Sequence, residues 1–269
     1  MKKLFTVLLS LLMLAALFGC TKKPEPTVDP EPTDTPTDVK PVMTYAEYAA
    51  LPADGSTEVV VEGYVQAAQS YWEGATLYLQ DKDGAYFVYG GQISEEDYAK
   101  LVSSTAYGDG WNGLANGTKV HVEGTKSEWS GEVEITDATV TLVEGGDTYL
   151  APAEDVTALL GTDALAEHMN KKVAFKELTV VASQNSAGED VAFLYNWDGS
   201  GEAGSDLYFK VTDGKTDIYT FVVESYLCYD GSEAYEAVEA LNIGDVVDLE
   251  GFLYWYEGAN PHITSVTVR

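Results

Sequence analysis

Two halves of this chain spell out the same order of elements, and that repeat limits the fold more than any composition figure does. In the first half, Glu58 to Ala67 (EVVVEGYVQA) alternates apolar and polar residues as a half-buried strand does. Ala75 to Gln80 and Tyr86 to Tyr89 follow, and Asp81-Lys82-Asp83-Gly84 between them reads as a hairpin turn. Ser94 to Val102 carries a capping serine and acidic residues in its first turn, the pattern of a short helix. Thr118 to Lys126 and Glu132 to Leu142 supply two more strands. In the second half, Lys172 to Ser183, Leu207 to Val211 and Ile218 to Val223 read as strands, Gly231 to Leu241 as the helix, and Asp245 to Tyr256 with His262 to Val268 as the closing pair. Val122-Glu123-Gly124 followed by Glu134-Ile135-Thr136 matches Leu249-Glu250-Gly251 followed by His262-Ile263-Thr264 at nearly equal separations, the mark of an internal duplication.

Five strands with one helix between the third and fourth are the plan of an OB-fold. The fold class expected is therefore all-β with short helices: two tandem five-stranded OB-fold-like barrels, over 44–150 and 151–269. Helical stretches are expected ahead of each, at Thr44 to Leu51, where Thr44 and Glu47 form a capping box, and in AEDVTALLG and TDALAEHMN. Gly63, Gly124 and Gly251 stand inside strands, where a small barrel needs a bulge or bend to close. The second copy carries an extra glycine-rich acidic loop from Asn196 to Asp206. In VEGYV, LYLQDKDGAYFVY and VHVEG…EITDATV the first copy resembles the OB-like domains of secreted bacterial nucleases and of surface lipoproteins, and the second copy does so more loosely. That resemblance implies the barrel and leaves the ligand open.

The start of the chain reads as an address. Lys2 and Lys3 precede an apolar run from Leu4 to Leu17, too short for a comfortable membrane span, and Leu17-Phe18-Gly19-Cys20 closes it. Those four residues resemble the bacterial lipobox, which implies a lipoprotein signal peptide over 1–19 and diacylglycerol on the Cys20 thiol. Anchored membrane attachment through lipidated Cys20, on the extracytoplasmic side of a bacterial cell envelope, is the expectation. Positions 20–43 then form a disordered tether, rich in Pro, Thr and acidic residues and without the apolar content of a core.

Charge narrows the partners. The chain carries 15 basic and 44 acidic residues, a formal net charge of −29. Four basic residues face 18 acidic ones in 44–150, and six face 21 in 151–269. A phosphate backbone or an anionic membrane surface meets repulsion from such a protein, so nucleic acid is disfavoured by charge. A neutral glycan or a protein partner is not.

Catalytic chemistry finds little support. His121, His168 and His262 lack metal-ligand spacing, and His121 and His262 read as ordinary surface or edge histidines of their barrels. No G-x-S-x-G, Walker or Rossmann pattern is present. The carboxylate pairs Glu132/Glu134 and Asp248/Glu250 read as solvated strand faces. Cys228, among apolar neighbours, reads as a buried inert thiol. Asp81-x-Asp83-Gly84 and the Asp198–Asp206 loop read as turns rather than calcium sites, so neither metal nor cofactor is expected.

Aromatic residues remain. An OB ligand crosses strands two and three between the first-second and fourth-fifth loops. At those places stand Tyr71, Trp72, Tyr78, Tyr89 and Trp129 in the first copy and Trp197, Tyr208, Trp255 and Tyr256 in the second. Flat exposed rings stack on sugar faces or on bases. The expected function is a non-enzymatic binding or scaffolding lipoprotein that recognises a neutral glycan or a protein. The alternative is single-stranded nucleic-acid binding, or service as an accessory subunit of a surface nuclease or glycoside hydrolase.

Overall fold

A computed structural model describes residues 40–69, 74–102, 115, 117–215 and 217–269 of the chain. The expected signal peptide, Cys20 and the expected tether up to Val39 lie outside the described residues, as do Tyr71 and Trp72. Lys40 to Arg269 form one compact unit.

The first barrel consists of β1 (Thr57–Ala68), β2 (Ala75–Gln80), β3 (Ala85–Gly91), β4 (Lys119–Trp129) and β5 (Glu132–Leu142), closed in the order β1-β2-β3-β5-β4. Neighbouring strands are antiparallel except β3 and β5, which run parallel through Phe87↔Glu134 and Val88↔Ile135. Alternation buries Val59, Val61, Leu77, Leu79, Val88, Val120, Val122 and Ile135 inside. Helix α1 (Tyr45–Ala49) precedes the barrel with the expected box: the Thr44 hydroxyl accepts from the Glu47 amide, and Glu47 accepts from the Thr44 amide. Its C-terminal carbonyls are held by Lys126, whose Nζ donates to Tyr48 and Leu51 at 2.9 and 2.7 Å, a cation where the helix dipole favours one. Helix α2 (Glu95–Tyr98), capped by Ser94, sits between the third and fourth strands.

The second half repeats the plan. Short β6 (Glu154–Asp155) pairs in parallel with β7 (Lys172–Val181), the first barrel strand. Two small strands, β8 (Ser183–Gln184) and β9 (Asp190–Val191), form a hairpin beyond it, and β10 (Phe193–Tyr195) lies beside β11 (Leu207–Thr212). β12 (Tyr219–Val223), α3 (Glu233–Glu239), β13 (Val246–Phe252) and β14 (His262–Val268) complete the barrel. β7-β11-β12-β14-β13 close on one another with β12 and β14 parallel, strand for strand the connectivity of the first copy. The protein is thus two tandem five-stranded OB-like barrels with a few short helices.

Two expectations need correction. The lead-in to the second copy is not α-helical: 157–159 and 163–168 are 3₁₀ turns, too short and too broken by Gly161 to propagate α-helix. The fourth strand of that copy ends at Phe252 rather than Tyr256, so Tyr254, Trp255 and Tyr256 leave the sheet and belong to the loop before β14.

Ladder register slips at Gly124 in one copy and Gly251 in the other, matched bulges that bend matched strands. At Gly251 the reason is contact: a Cβ there would overlap the His262 carbonyl oxygen and fall 2.8 Å from the Ile263 Cα.

The barrels are not beads on a string. Tyr78 and Phe87, on the outer face of the first barrel's second and third strands, belong to the second barrel's hydrophobic cluster. The Tyr78 ring stacks on Phe252 at 4.4 Å between centroids, and Phe87 meets Tyr254 edge-on at 5.4 Å. Polar ties flank the rings. Lys172 N donates to Gln80 Oε1 at 2.8 Å, Trp255 N to Glu132 Oε2 at 2.8 Å, and Asn170 Nδ2 to the Val133 carbonyl at 3.0 Å.

Candidate functional site

The turn between β4 and β5 fixes one wall of the site. Ser130 and Gly131 both take positive φ, 51° and 93°, as a two-residue hairpin requires. Glycine is needed at 131 for a second reason, because the Trp255 indole packs against it and a Cβ would sit 2.7 Å from Trp255 Cδ1. Glu257 N donates to the Ser130 carbonyl at 2.7 Å. The fourth-fifth loops of the two copies therefore meet tip to tip, and Trp129 from one lies 5.2 Å from Tyr256 of the other.

Beside this junction opens a cavity of about 1060 Å³. The open face of the second barrel forms its floor with Tyr208, Tyr219 and Phe221, and Tyr254 and Trp255 rise from the loop before β14. Trp197, from the extra loop of the second copy, and Tyr89, from the first barrel, reach in from the sides. This is where an OB barrel takes its ligand, across strands two and three between the two loops. Tyr89, Trp129, Trp197 and Tyr256 are 59%, 53%, 76% and 46% exposed, while Tyr208 and Trp255 are half-buried.

Six of the nine aromatic residues singled out from sequence thus converge on one cavity. Tyr78 does not. It is fully buried beneath the second barrel, stacked on Phe252, with its hydroxyl 2.9 Å from His262 Nδ1, so it is removed from any ligand. The first barrel's strand-two and strand-three face is occupied by its own duplicate. Tyr71 and Trp72 lie outside the described residues.

The polar residues of the site were not apparent from sequence. Glu224, just past β12, lines the cavity, and its Oε2 accepts from Gln69 Nε2 of the first barrel and lies 3.5 Å from His262 Nδ1. Burial pushes its carboxyl up to about 8, with the neighbouring Asp206 adding to the rise and the Gln69 hydrogen bond opposing it. His262 is buried against Tyr78 and stacked on Tyr254 at 4.4 Å, which corrects its reading as a surface or edge residue. Burial pulls its imidazole down to about 3, so it is neutral.

The Glu132/Glu134 pair is likewise not a solvated face. Glu132 is fully buried and Glu134 nearly so, because Asn170 and Trp255 of the second half close over that side of the hairpin. Burial pushes Glu132 up to about 8, against hydrogen bonds from Asn170 and the Trp255 amide. Asp248 and Glu250, in contrast, stay partly exposed and pair with Arg269 and Lys176. His121 lies between Glu62 and Glu123, and His168 beside Glu154. Cys228 is buried, and its thiol is pushed up to about 12 by burial and then by Glu224. The Asp81 carboxylate accepts from the amides of Asp83 and Gly84, and Asp198 from that of Ser200, as turn residues do.

Among the described residues that line the cavity there is no lysine or arginine, while Asp163, Glu224 and Glu257 contribute carboxyl groups. The arrangement offers ring faces and hydrogen-bond acceptors and has no cation for a phosphate.

No protein-family model and no curated protein matches the chain. Solved structures with a similar course of strands include the p204 HINb domain, 10% identical over 80% of this chain and 98% of that one at a TM-score of 0.34. A murine DNA-binding protein bound with double-stranded DNA is 12% identical over 78% and 97%, at 0.30. The wild-type single-stranded DNA-binding protein from Thermus aquaticus is 14% identical over 81% and 94%, at 0.25. Superpositions this loose carry no information on what the chain binds.

Proposed function

We propose that this protein is a non-enzymatic binding module, anchored outside the cytoplasm through lipidated Cys20, whose inter-barrel cleft holds a neutral glycan. The observation that supports this reading is the convergence of Tyr89, Trp129, Trp197, Tyr208, Trp255 and Tyr256 on one concave surface with no Lys or Arg among its described residues. Sugar rings present flat C–H faces to aromatic side chains, and their hydroxyls donate to carboxylates. A concave site of this size suits a short oligomer better than the flat face of a protein.

The Trp129–Tyr256 ring pair also favours a second reading, a single strand of nucleic acid, the ligand class of the Thermus aquaticus protein named above. Bases stack on such rings at about 1–3 kcal/mol each. The absence of Lys and Arg from the cleft weighs against a phosphate backbone there.

One array carrying neutral glycans, cell-wall fragments and single-stranded oligonucleotides, read at physiological salt with the wild-type chain and Trp129→Ala, tests both readings. Glycan binding that Trp129→Ala weakens is the expected result. Oligonucleotide binding alone, falling steeply with salt, replaces the first reading with the second, and a blank array removes both.

A further inference from the structure

Stacking rings account for a neutral sugar, but they leave the carboxyl at the base of the cavity without a role. Glu224 is 18% exposed through its side chain and is committed on one oxygen only: Oε2 takes the Gln69 amide, and Oε1 has no donor among the described residues. The groups that act on it electrostatically or touch it are Asp206, Tyr208, Tyr78, Tyr254, Cys228 and His262. None is a cation, His262 being held neutral by burial. A buried carboxyl without a cationic neighbour keeps its proton until a positive charge arrives. Tyr208 and Tyr254 are near enough to act on it electrostatically, and Trp255 lines the same cavity, as do Asp163 and Glu257. Aromatic rings beside a carboxylate are the surroundings an ammonium group favours, through cation–π attraction and a charge-assisted hydrogen bond.

We infer that the glycan held in this cleft carries a free amine, an amino sugar whose ring stacks on the aromatic wall and whose ammonium donates to Glu224. The inference rests on the glycan reading above for the stacked sugar rings and departs from it in charge, replacing a neutral sugar with a cationic one. The amine is the one ligand group that meets both features of the floor, ring faces and an uncompensated carboxyl. An N-acetylated sugar keeps the stacking and loses the charge. The field of a protein at −29 then acts in favour of the ligand, drawing a cationic oligomer in rather than repelling it.

The test is isothermal titration of the purified chain at physiological salt with three probes: a glucosamine tetramer, its fully N-acetylated counterpart, and tetralysine, which carries charge without sugar rings. The wild-type chain is expected to bind the glucosamine tetramer at least about tenfold more tightly than either of the others, a difference of about 1.4 kcal/mol. Glu224→Gln, which keeps the shape of the protonated acid, is expected to bring the two sugar tetramers within about twofold. Equal binding of both sugars by the wild type overturns the amine assignment and leaves the glycan reading standing. Tetralysine binding as tightly as the glucosamine tetramer overturns it by showing attraction to charge alone. Failure of both sugars overturns the glycan reading as well. A preference that survives Glu224→Gln removes Glu224 from the site. The wild-type comparison holds whether or not the variant folds.

Discussion

Replacing Glu132 with glutamine should stabilise this protein at every pH above 4.5, by about 2.7 kcal/mol at pH 6.5 and about 1.6 kcal/mol more at pH 8. Two acceptor atoms, Glu132 Oε1 and Asn170 Oδ1, are buried without a partner, and the Asn170 side chain lies within hydrogen-bonding range of the Glu132 carboxyl. Burial raises Glu132 and Glu224 from 4.5 to about 8 in the folded chain. Between those values the unfolded chain has lost the proton that the folded chain retains. The stabilisation is therefore complete below pH 4.5 and is lost as pH rises through 8. His262, lowered from 6.5 to about 3, acts with the opposite sign: its contribution is complete above pH 6.5 and is lost as pH falls toward 3. In the window from pH 6.5 to 8 the two carboxyls act and His262 does not. The slope per carboxyl is about 1.4 kcal/mol per pH unit at pH 6.5 and half that at pH 8, so the pair loses about 3 kcal/mol across the window and each member about 1.6. Glutamine at 132 keeps an acceptor for the Trp255 amide and has no proton to lose. Urea unfolding followed by tryptophan fluorescence at pH 6.5, 7.25 and 8.0 should show the wild-type slope halved in Glu132→Gln. A wild-type stability that rises across this window, or a variant with an undiminished slope, refutes the reasoning.

The bulge glycine gives a steric test: Gly251→Ala drives a methyl into the His262 carbonyl, and a loss of about 3 kcal/mol or more is expected in the same urea assay. Tyr78→Phe leaves His262 Nδ1 without its buried hydroxyl partner and should cost about 1–3 kcal/mol while sparing the cleft rings. Trp129→Ala, half-exposed in the wild type, should change stability by less than about 1 kcal/mol and weaken ligand binding about tenfold by titration. Cys20→Ser should abolish incorporation of radiolabelled fatty acid and release the chain from the membrane fraction in an expressing bacterium.

The barrels were legible because each strand carries its own period, and because two copies of one plan check each other. Thr44 with Glu47, Asp81 to Gly84, and Gly124 matched to Gly251 are local signals, and the structure places a cap, a turn and two bulges there. The packing of one copy on the other has no such local mark. Glu132 and Glu134 sit two residues apart exactly as an exposed strand face would have them, and Asn170 and Trp255, which bury them, are far along the chain. Tyr78 reads as a groove residue for the same reason: nothing between Ala75 and Gln80 reveals that Phe252 will lie on it. Glu224 and Gln69 come together across 155 residues, a separation at which no spacing rule operates.

The covered face of the first barrel has a consequence for how the chain is made. Ribosomes deliver the first copy before the second, and domains begin to fold as they emerge. Until the segment carrying Phe252 and Tyr254 arrives, Tyr78 and Phe87 stand on the outside of a finished barrel as an apolar strip. A half-synthesised chain therefore presents a sticky surface that the complete protein does not have, and a truncation after the first copy would inherit it permanently.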